Sequence, residues 1–269
     1  MKISIVTPSF NQAKFITQTI ESVVTQSGDF EIEYFVMDGG SQDGTVQILK
    51  NYEQRFRDGE FANLVKFEWV SQADRGQSDA INQALQKASG EIVGYLNSDD
   101  LYEPNALNQI TKFFQNCPDA VWATGKCNII NEVDQEICRG ITLYKNVWLY
   151  FLNYFWLLVL NPISQPATFW KRSLHRQLGY FDEAESLVMD YEFWLRLARG
   201  YPIYFLPRPL AKFRWHTHSK GTTKFAEQFE REYLVAWQYA RTTHYSLVTS
   251  LLHKIHQTLI IACYNILRH

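Results

Sequence analysis

Acidic side chains follow three apolar runs of this chain, at points where buried strands would end. They are Asp38, Asp74 with Asp79, and Asp99 with Asp100. Because the carboxyl ends of parallel strands open into one crevice of an α/β sheet, we expect these carboxylates to converge. Two adjacent carboxylates are oxygen ligands suited to magnesium or manganese. The set indicates a metal-assisted site, although each acid taken alone is also typical of a turn or a helix cap.

Alternating strand and helix patterns position these acids. Short apolar runs typical of strands buried on both faces are followed by apolar residues at helical spacing. The runs are residues 3–7, 32–37, 65–70 and 91–96. Gly28 is expected to close the first helix and Pro104 to lie in the first turn of the fourth. This alternation predicts right-handed βαβ units and a parallel sheet.

Composition and missing signatures exclude several classes of protein. No GxGxxG follows the first strand and no GxxxxGK[ST] occurs, so a Rossmann dehydrogenase and a P-loop enzyme both fit poorly. The net charge of −2 gives no reason to expect nucleic acid as a partner. Four cysteines without CxxC or metal spacing, and no secretory signal, predict reduced thiols in a cytosolic protein.

The middle of the chain is less regular. Residues 121–130 and 135–143 predict two strands, paired antiparallel at the edge of the sheet. Residues 148–160 predict one buried helix, because the run is shorter than the ~20 residues that span a bilayer. Residues 165–168 fit an edge strand, since Pro166 cannot donate to a central ladder.

Seven segments of the chain resemble the family 2 glycosyltransferases, which have the GT-A fold. They are SIVTPSFNQAKFI, VMDGGSQDGT, ADRGQSDAINQAL, GEIVGYLNSDD, ISQPATFWKRSLHRQLGYFDE, MDYEFWLRLA and FRWHTHSKGT. The resemblance implies an α/β protein with a mostly parallel, Rossmann-like sheet flanked by helices. It implies a GT-A domain over residues 1–220, with a nucleotide-sugar half at 1–103 and an acceptor half at 104–220. Residues 221–269 are then a helical C-terminal extension.

The same resemblance implies an activity. A sugar would pass from a nucleoside-diphosphate sugar, UDP- or dTDP-linked, to an acceptor hydroxyl with inversion at the anomeric carbon. A divalent metal, manganese or magnesium, would bridge the diphosphate. The similar bacterial enzymes build cell-surface polysaccharide or glycolipid, so the acceptor is expected to be a saccharide or a lipid-linked saccharide. The implied location is the cytoplasm. Peripheral contact with the inner membrane and formation of a homodimer are both compatible with the resemblance.

Roles carry over residue by residue from the family motifs. Asp190 matches the general base that takes the proton of the acceptor hydroxyl. Asp99 matches the metal-holding acid, with Asp100 and His216 as further ligands. The positions that match donor contacts are Thr7, Pro8, Asp38, Asp74, Arg75, Asp79, Asn97, Ser98, Arg214 and His216. Gln165 and Trp194 match the acceptor site. His216 is preferred over His218 because it keeps the family's spacing from Arg214.

Two positions depart from the family pattern. Asn97 stands where many members have Asp, so the metal would gain a neutral ligand at most. Met189 precedes Asp190 where Glu is usual, and without the family Asp190 fits a helix N-cap. One alternative is a nucleotidyltransferase, but the glycine-rich loop expected after the first strand of such an enzyme is absent from this sequence. A non-catalytic nucleotide-sugar-binding protein is the other alternative, and Asn97 is its only support.

Two amphipathic helices are predicted beyond residue 224. The last one carries an apolar stripe that includes Val248, Leu252, Ile255 and Leu259, with Lys254 beside it. Such a stripe fits core packing, a dimer seam or a lipid surface. We expect peripheral, salt-sensitive association with a membrane through this helix.

Overall fold

The computed structural model describes residues 1–216 and 225–267, and in them eight strands form one mixed sheet. Strands β1 to β8 are Lys2–Ser9, Glu31–Asp38, Leu64–Ser71, Ile92–Tyr95, Leu101–Tyr102, Trp122–Ile130, Thr168–Lys171 and Tyr204–Arg214. Helices α1 to α10 are Ile16–Val24, Thr45–Arg57, Gln77–Lys87, Ala106–Asn116, Arg139–Phe151, Tyr154–Leu157, His175–Leu178, Met189–Gly200, Phe225–Ala240 and Ser246–Leu267. The strand order is β3-β2-β1-β4-β7-β6-β8-β5.

The first half of the sheet is parallel, as predicted. Strands β3, β2, β1 and β4 are neighbours in that order, and α1, α2 and α3 connect them along the chain. Strands β1 and β2 are buried on both faces because helices cover the sheet, which explains their unbroken apolar runs. Ser9 lies opposite Asp38, and Asp38 lies opposite Ser71, so three strand ends meet at one edge.

The prediction of a strand at residues 135–143 is wrong. Ile137 N donates to Ile129 O at 2.8 Å, but Cys138 then takes a left-handed φ of 52° and α5 begins at the next residue. The alternating apolar pattern therefore covers a short turn and the start of a helix. Strand β6 is not at the edge either, since it lies between β7 and β8.

Four further predictions of helix and strand bounds differ from the structure. The run 148–160 is two helices, because the Asn153 side chain accepts the N–H of Trp156 at 3.2 Å and starts α6. Residues 165–167 form a 3-10 turn that places Pro166 ahead of β7, which is an interior strand. Helix α1 ends at Val24, short of Gly28, and α4 begins at Ala106, after Pro104.

The two C-terminal helices pack on each other and on other helices. Helix α9 contacts α8 and buries Val235, Ala236 and Ala240. In α10, Thr249 and His253 are buried, and His253 Nδ1 lies 2.9 Å from Leu158 O at the end of α6. Most of the predicted apolar stripe faces outward: Val248, Ile255 and Leu259, with the neighbouring Leu251, are each 50–62% exposed, and Leu252 is half-buried. No helix in the described ranges is long and apolar enough to cross a membrane.

Candidate active site

The Asp38 carboxylate holds the loop after β2. It is 2% exposed and accepts hydrogen bonds from Ser71 Oγ at 2.6 Å and Ser41 Oγ at 2.5 Å. The N–H groups of Gly40 and Ser41 donate to it at 3.2 and 2.9 Å. Four donors fill the usual capacity of a carboxylate. A nucleobase can therefore reach Asp38 only by replacing one of these bonds.

The loops after β1 and β2 are tied to each other. Asn11 N donates to Ser41 Oγ at 2.6 Å, and Gln42 N donates back to Asn11 Oδ1 at 3.0 Å. Ala13 N donates to Asp43 Oδ2 at 2.9 Å. Burial would raise the pKa of Asp43, but hydrogen bonds from Thr45 and from Ala13 lower it below its usual value. The two loops therefore form one preorganised unit.

Phe10 is a candidate site residue that sequence reasoning missed. Its side chain is 61% exposed although it directly follows a buried strand. A Cβ added to Gly39 would lie 3.4 Å from the Phe10 ring and 3.1 Å from Asp74 Oδ2. Asp74 is itself exposed and accepts the N–H of Gly76 at 2.8 Å. An exposed aromatic ring and an exposed carboxylate thus lie on either side of Gly39. The sequence could have indicated Phe10, because it is a large apolar residue placed directly after the first strand.

Thr7 and Pro8 do not offer open side chains. Both are buried, and Thr7 Oγ1 lies 2.9 Å from the Tyr34 hydroxyl inside the sheet. Ser98 is also buried, at 5% exposure. The side chains of these three predicted contact residues are therefore enclosed by protein.

Arg75 and Asp79 form an ion pair beside the strand ends. Arg75 Nη2 lies 2.8 Å from Asp79 Oδ1, and Arg75 N donates to Asp79 Oδ2 at 3.1 Å. The backbone N–H of Arg75 is the main cause that lowers the pKa of Asp79. Asp74, Arg75 and Glu183 border an open cleft of about 640 Å³. Arg75 is exposed and can reach an anion, whereas Asp79 is buried and positions it.

The two acids after β4 point in different directions. Asp100 is fully buried and accepts the N–H of Arg214 at 2.8 Å. Burial raises the pKa of Asp100, and the neighbouring charge of Asp99 adds to this effect. Asp99 Oδ2 lies at the mouth of the site, 2.8 Å from His216 Nε2. The prediction that Asp100 shares metal binding therefore needs correction, because its carboxylate is turned into the protein.

Arg214 supports the turn at Asp99 from inside. It is fully buried, and its Nε donates to Asp99 O at 2.8 Å. Its Nη2 donates to Gln18 Oε1 at 2.9 Å. Its Nη1 pairs with Asp134 Oδ1 at 2.6 Å and donates to Asn131 O at 3.0 Å. The predicted diphosphate contact of Arg214 is corrected on this ground, since the guanidinium is committed to protein oxygens.

Asp99 and His216 fit part of a metal site. A carboxylate oxygen and an imidazole nitrogen suit Mn²⁺, and their 2.8 Å separation is close to the ~3 Å between adjacent vertices of an octahedron with ~2.1 Å bonds. The His216 ring also packs against Phe15 at 5.1 Å between centroids. In the part of the chain that is described, no three His, Cys, Asp or Glu side chains are grouped to hold a metal. The alternative His218 lies outside the described residues.

Asn97 is held by hydrogen bonds from both ends of its amide. Its Nδ2 donates to Asp100 Oδ2 at 3.1 Å and to Gln165 Oε1 at 3.3 Å. Its Oδ1 accepts from Gln77 Nε2 at 2.7 Å. Gln165 in turn donates to Tyr95 O at 2.5 Å and is buried. Asn97 and Gln165, predicted to meet donor and acceptor, therefore support the Asn97–Asp100 turn after β4 from beneath.

Asp190 lies in the first turn of α8, after Val188 at the cap position. Its Oδ1 accepts the N–H of Tyr191 at 2.8 Å, so it does not cap the helix from outside. Burial raises the pKa of Asp190, opposed by the Tyr191 N–H and by the cation of Lys145. Burial and then the charges of Asp190 and Asp100 raise the pKa of Tyr95 at the end of β4. Asp190 thus lies close to Tyr95 at the end of β4, the strand that leads to Asp99.

Trp194 does not belong to an acceptor surface. It is fully buried and stacks on Trp122, with 5.9 Å between centroids and 11° between planes. Trp194 lies one turn after Asp190 in α8, on the side of the helix that packs into the core. The predicted acceptor contact of Trp194 is therefore corrected to a core contact.

Sequence relatives of the chain are glycosyltransferases. An uncharacterized glycosyltransferase of Nostoc sp. is 30% identical over 142 residues, which is 53% of this chain and 41% of the relative. The chondroitin synthase of Escherichia coli is 32% identical over 207 residues, which is 74% of this chain and 27% of the relative. The chain thus spans less than half the length of these two relatives.

Solved structures share the fold at low identity. TarS of S. aureus, solved as residues 1–349 with UDP-GlcNAc, has a TM-score of 0.67 and 19% identity, covering 94% of this chain and 70% of that chain. The mannosyltransferase PcManGT of Pyrobaculum calidifontis, solved with GDP-Man and Mn²⁺, has a TM-score of 0.60 and 19% identity, covering 89% and 63%. The sequence model of glycosyl transferase family 2 matches residues 4–179. With the mixed sheet and these matches, the chain belongs to glycosyl transferase family 2 and has the GT-A fold.

Proposed function

We propose that this chain transfers a sugar from a nucleoside-diphosphate sugar to a saccharide hydroxyl, with inversion at the anomeric carbon. The observation that carries the proposal is a pair of acids of different environment around the end of β4, where Tyr95 interacts with the charges of Asp190 and of Asp100. Asp99 stands at the mouth beside His216, and Asp190 is a partly buried carboxylate with a raised pKa. One acid suits a metal and a diphosphate, and the other suits a proton acceptor.

Asp190 is the proposed general base. It takes the proton of the acceptor hydroxyl while the acceptor oxygen attacks the anomeric carbon. The new carbon–oxygen bond forms on the face opposite the bond to the diphosphate, which breaks and releases the nucleoside diphosphate with its electron pair. A carboxylate whose pKa is raised by burial is a stronger base than an exposed one, which favours this role.

Asp99 and His216 are the residues that would hold the metal. When bound, Mn²⁺ or Mg²⁺ supplies charge neutralisation to the departing diphosphate. The Mn²⁺ in the PcManGT complex supports a divalent ion for this fold. Arg214 and Asn97 keep the Asp99 turn in place through Asp99 O and through Asp100.

Phe10 and Asp74 are the proposed nucleobase contacts. The exposed ring of Phe10 offers a stacking face, and the open carboxylate of Asp74 can accept the imide N–H of uracil or thymine. Asp38 contributes by fixing the Gly39 and Gly40 loop, and Arg75 is within reach of an anion in the adjoining cleft. A UDP- or dTDP-sugar is therefore the favoured donor, in line with the UDP-GlcNAc of the TarS complex.

A donor screen tests the activity as a whole. UDP-, dTDP- and GDP-sugars are added with and without Mn²⁺, and the melting temperature and the release of nucleoside diphosphate are measured. A ligand that binds only the native protein raises its melting temperature. We expect a Mn²⁺-dependent rise with a uridine or thymidine donor and release of the diphosphate. Release of pyrophosphate would indicate a nucleotidyltransferase instead, and stabilisation without any release would indicate a binding protein.

We also propose that α5 and α10 contact the cytosolic face of a membrane. Tyr144 of α5 lies 2.7 Å from His256 of α10, so the two helices are neighbours. Both expose apolar side chains: Leu143, Val147, Tyr150 and Phe151 on α5, and Leu247, Val248, Leu251, Ile255 and Leu259 on α10. Aromatic side chains and the exposed Lys254 among them suit the headgroup region of an anionic lipid surface. This would bring the enzyme to lipid-linked saccharides, and the chondroitin synthase relative supports a role in polysaccharide assembly.

A further inference from the structure

Helix α9 runs alongside α8, the helix that carries Asp190. Near the start of α9, Arg231 Nη2 lies 2.6 and 2.7 Å from the two carboxylate oxygens of Glu185, just before α8. Near its end, the Tyr239 hydroxyl donates to Glu192 in α8. These two contacts fix the register of the helices. They place Glu232 beside the first turn of α8, where Asp190 lies.

Glu232 is a buried carboxylate in a polar cluster. It is 8% exposed and accepts hydrogen bonds from the side chains of Gln228 and Asn161. Asn161 Oδ1 is buried and has no hydrogen-bond partner among the described residues. A buried acceptor without a donor is costly, so this atom points to a ligand that brings a donor, such as a hydroxyl.

The charges around Glu232 couple it to Asp190. From α8, Asp190 and the Tyr191 hydroxyl interact with Glu232, and from α5 the ammonium group of Lys145 interacts with both acids. Burial and the charge of Asp190 raise the pKa of Glu232 to about 7. Two carboxylates and one cation thus share a site that is closed on three sides by α5, α8 and α9.

We propose that Glu232 belongs to the acceptor site, where it accepts a hydrogen bond from a second hydroxyl of the acceptor sugar, while Lys145 sets the basicity of Asp190. The inference rests on the proposed function, since it takes Asp190 as the base. A saccharide offers neighbouring hydroxyl groups, so one can donate to Asp190 and the next to Glu232 or Asn161 Oδ1. The helical extension is then part of the catalytic site.

The test compares pH profiles of nucleoside-diphosphate release. The donors are UDP- and dTDP-sugars, and the acceptors are a panel of p-nitrophenyl glycosides. Hydrolysis of the donor by water is measured if no glycoside is accepted. Lys145→Met removes a positive neighbour of Asp190, so the acidic limb of kcat/KM should move to higher pH. Glu232 is protonated over most of this limb, because its pKa is about 7, so Glu232→Gln should leave the limb near its wild-type position. A shift of the limb in Lys145→Met alone would separate the tuning of Asp190 from the binding role of Glu232.

Acceptor binding gives the second readout. Above pH 7, Glu232→Gln should raise the KM of the glycoside about tenfold, since the acceptor hydroxyl then donates to a neutral amide instead of a carboxylate, and leave the KM of the donor unchanged. Glu232→Asp keeps the charge and withdraws the oxygens, so the limb should stay while the glycoside KM still rises. Glu230→Gln, on the exposed face of the same helix, is the matched control and should change neither.

Two outcomes separate the inference from the function on which it rests. If Asp190→Asn is inactive while Glu232→Gln keeps the wild-type KM for the glycoside, the inference is overturned and the proposed base stands. If Asp190→Asn is as active as wild type, the base assignment fails and the inference fails with it. A raised glycoside KM in Glu232→Gln, together with a limb shift in Lys145→Met, supports both.

Discussion

The Asn97 side chain donates a hydrogen bond to the buried carboxylate of Asp100 over 3.1 Å. An Asp at position 97 could not make this bond and would place a second carboxylate against a fully buried one. The amide at this position, which departs from the family pattern, is therefore required by the acid that lies behind it. The departure does not by itself indicate a loss of activity.

Asn97→Asp should lower the melting temperature, because it replaces a donor by a like charge next to Asp100. We expect a loss of stability on the order of 1–3 kcal/mol, the usual cost of a buried acceptor that loses its donor. Urea unfolding in EDTA measures the effect without metal. Asn116→Asp, on the exposed end of α4, is the control and should stay near wild type. Equal stability of the two variants would contradict the role given to Asn97.

Asp99→Ala and Asp100→Ala should have different effects. Asp99 faces the site, so Asp99→Ala should keep the melting temperature but lose the extra stabilisation that UDP gives in Mn²⁺. Asp100 is buried and bonded to Arg214 N and Asn97, so Asp100→Ala should lower the melting temperature even without ligand. Thermal unfolding with and without UDP and Mn²⁺ measures both. A Mn²⁺ response that survives in Asp99→Ala would exclude Asp99 as the metal ligand.

Asp190→Asn should reduce turnover by about 100-fold or more, the usual scale for loss of a general base. Stability should hardly change, since the carboxamide can still accept the N–H of Tyr191 through its oxygen. The affinity for the donor should also persist. Single-turnover release of nucleoside diphosphate, together with donor titration, separates these effects. A variant that loses donor affinity and stability but retains turnover would show that Asp190 is structural.

Glu33→Gln should remove a source of pH-dependent stability. Burial opposes ionisation of Glu33, but hydrogen bonds from Ser89 and Ser4 overcome it and lower its pKa from 4.5 to about 2. A lowered carboxyl pKa stabilises the fold above pH 4.5, and this contribution is lost as pH falls from 4.5 towards 2. The shift corresponds to roughly 3 kcal/mol.

Urea unfolding between pH 7 and pH 2.5 measures this contribution. Wild type should lose stability across the acidic range, whereas Glu33→Gln should start lower at pH 7 and change less. Glu31→Gln, an exposed residue on the same strand, should follow the wild-type curve. A Glu33→Gln curve parallel to wild type would refute the assignment.

Leu251→Gln combined with Ile255→Gln should weaken binding to vesicles rich in phosphatidylglycerol. Both side chains are at least half exposed on α10, so the change should leave the fold intact. Vesicle flotation at low and high salt measures the association, and Val133→Gln, exposed on a different loop, is the control. If the double variant floats as wild type does but loses a dimer peak in size-exclusion chromatography, the apolar face is a dimer seam.

Sequence patterns predicted the parallel half of the sheet because each strand and helix there is specified by local periodicity. They failed at residues 135–143, where a left-handed Cys138 turns a strand-like pattern into the start of a helix. The family motifs predicted roles for Asp99 and Asp190, which stay predictions, but gave no sign that Asp100 and Arg214 face inward. That orientation depends on contacts between the turn after β4 and the end of β8, which lie more than 100 residues apart and leave no mark in either segment.

Arg214 also has a consequence for how the protein is made. Its side chain joins Gln18, 196 positions earlier in the chain, to the Asp99 turn, 115 positions earlier. Contacts over such separations form late, because much of the chain must be ordered before the guanidinium can dock. During synthesis the nucleotide-binding strands can assemble as soon as they emerge, since domains tend to fold from the N-terminus. The turn at Asp99, however, must wait for β8, so an incomplete chain would carry the proposed nucleobase contacts, Phe10 and Asp74, without a fixed Asp99 beside them.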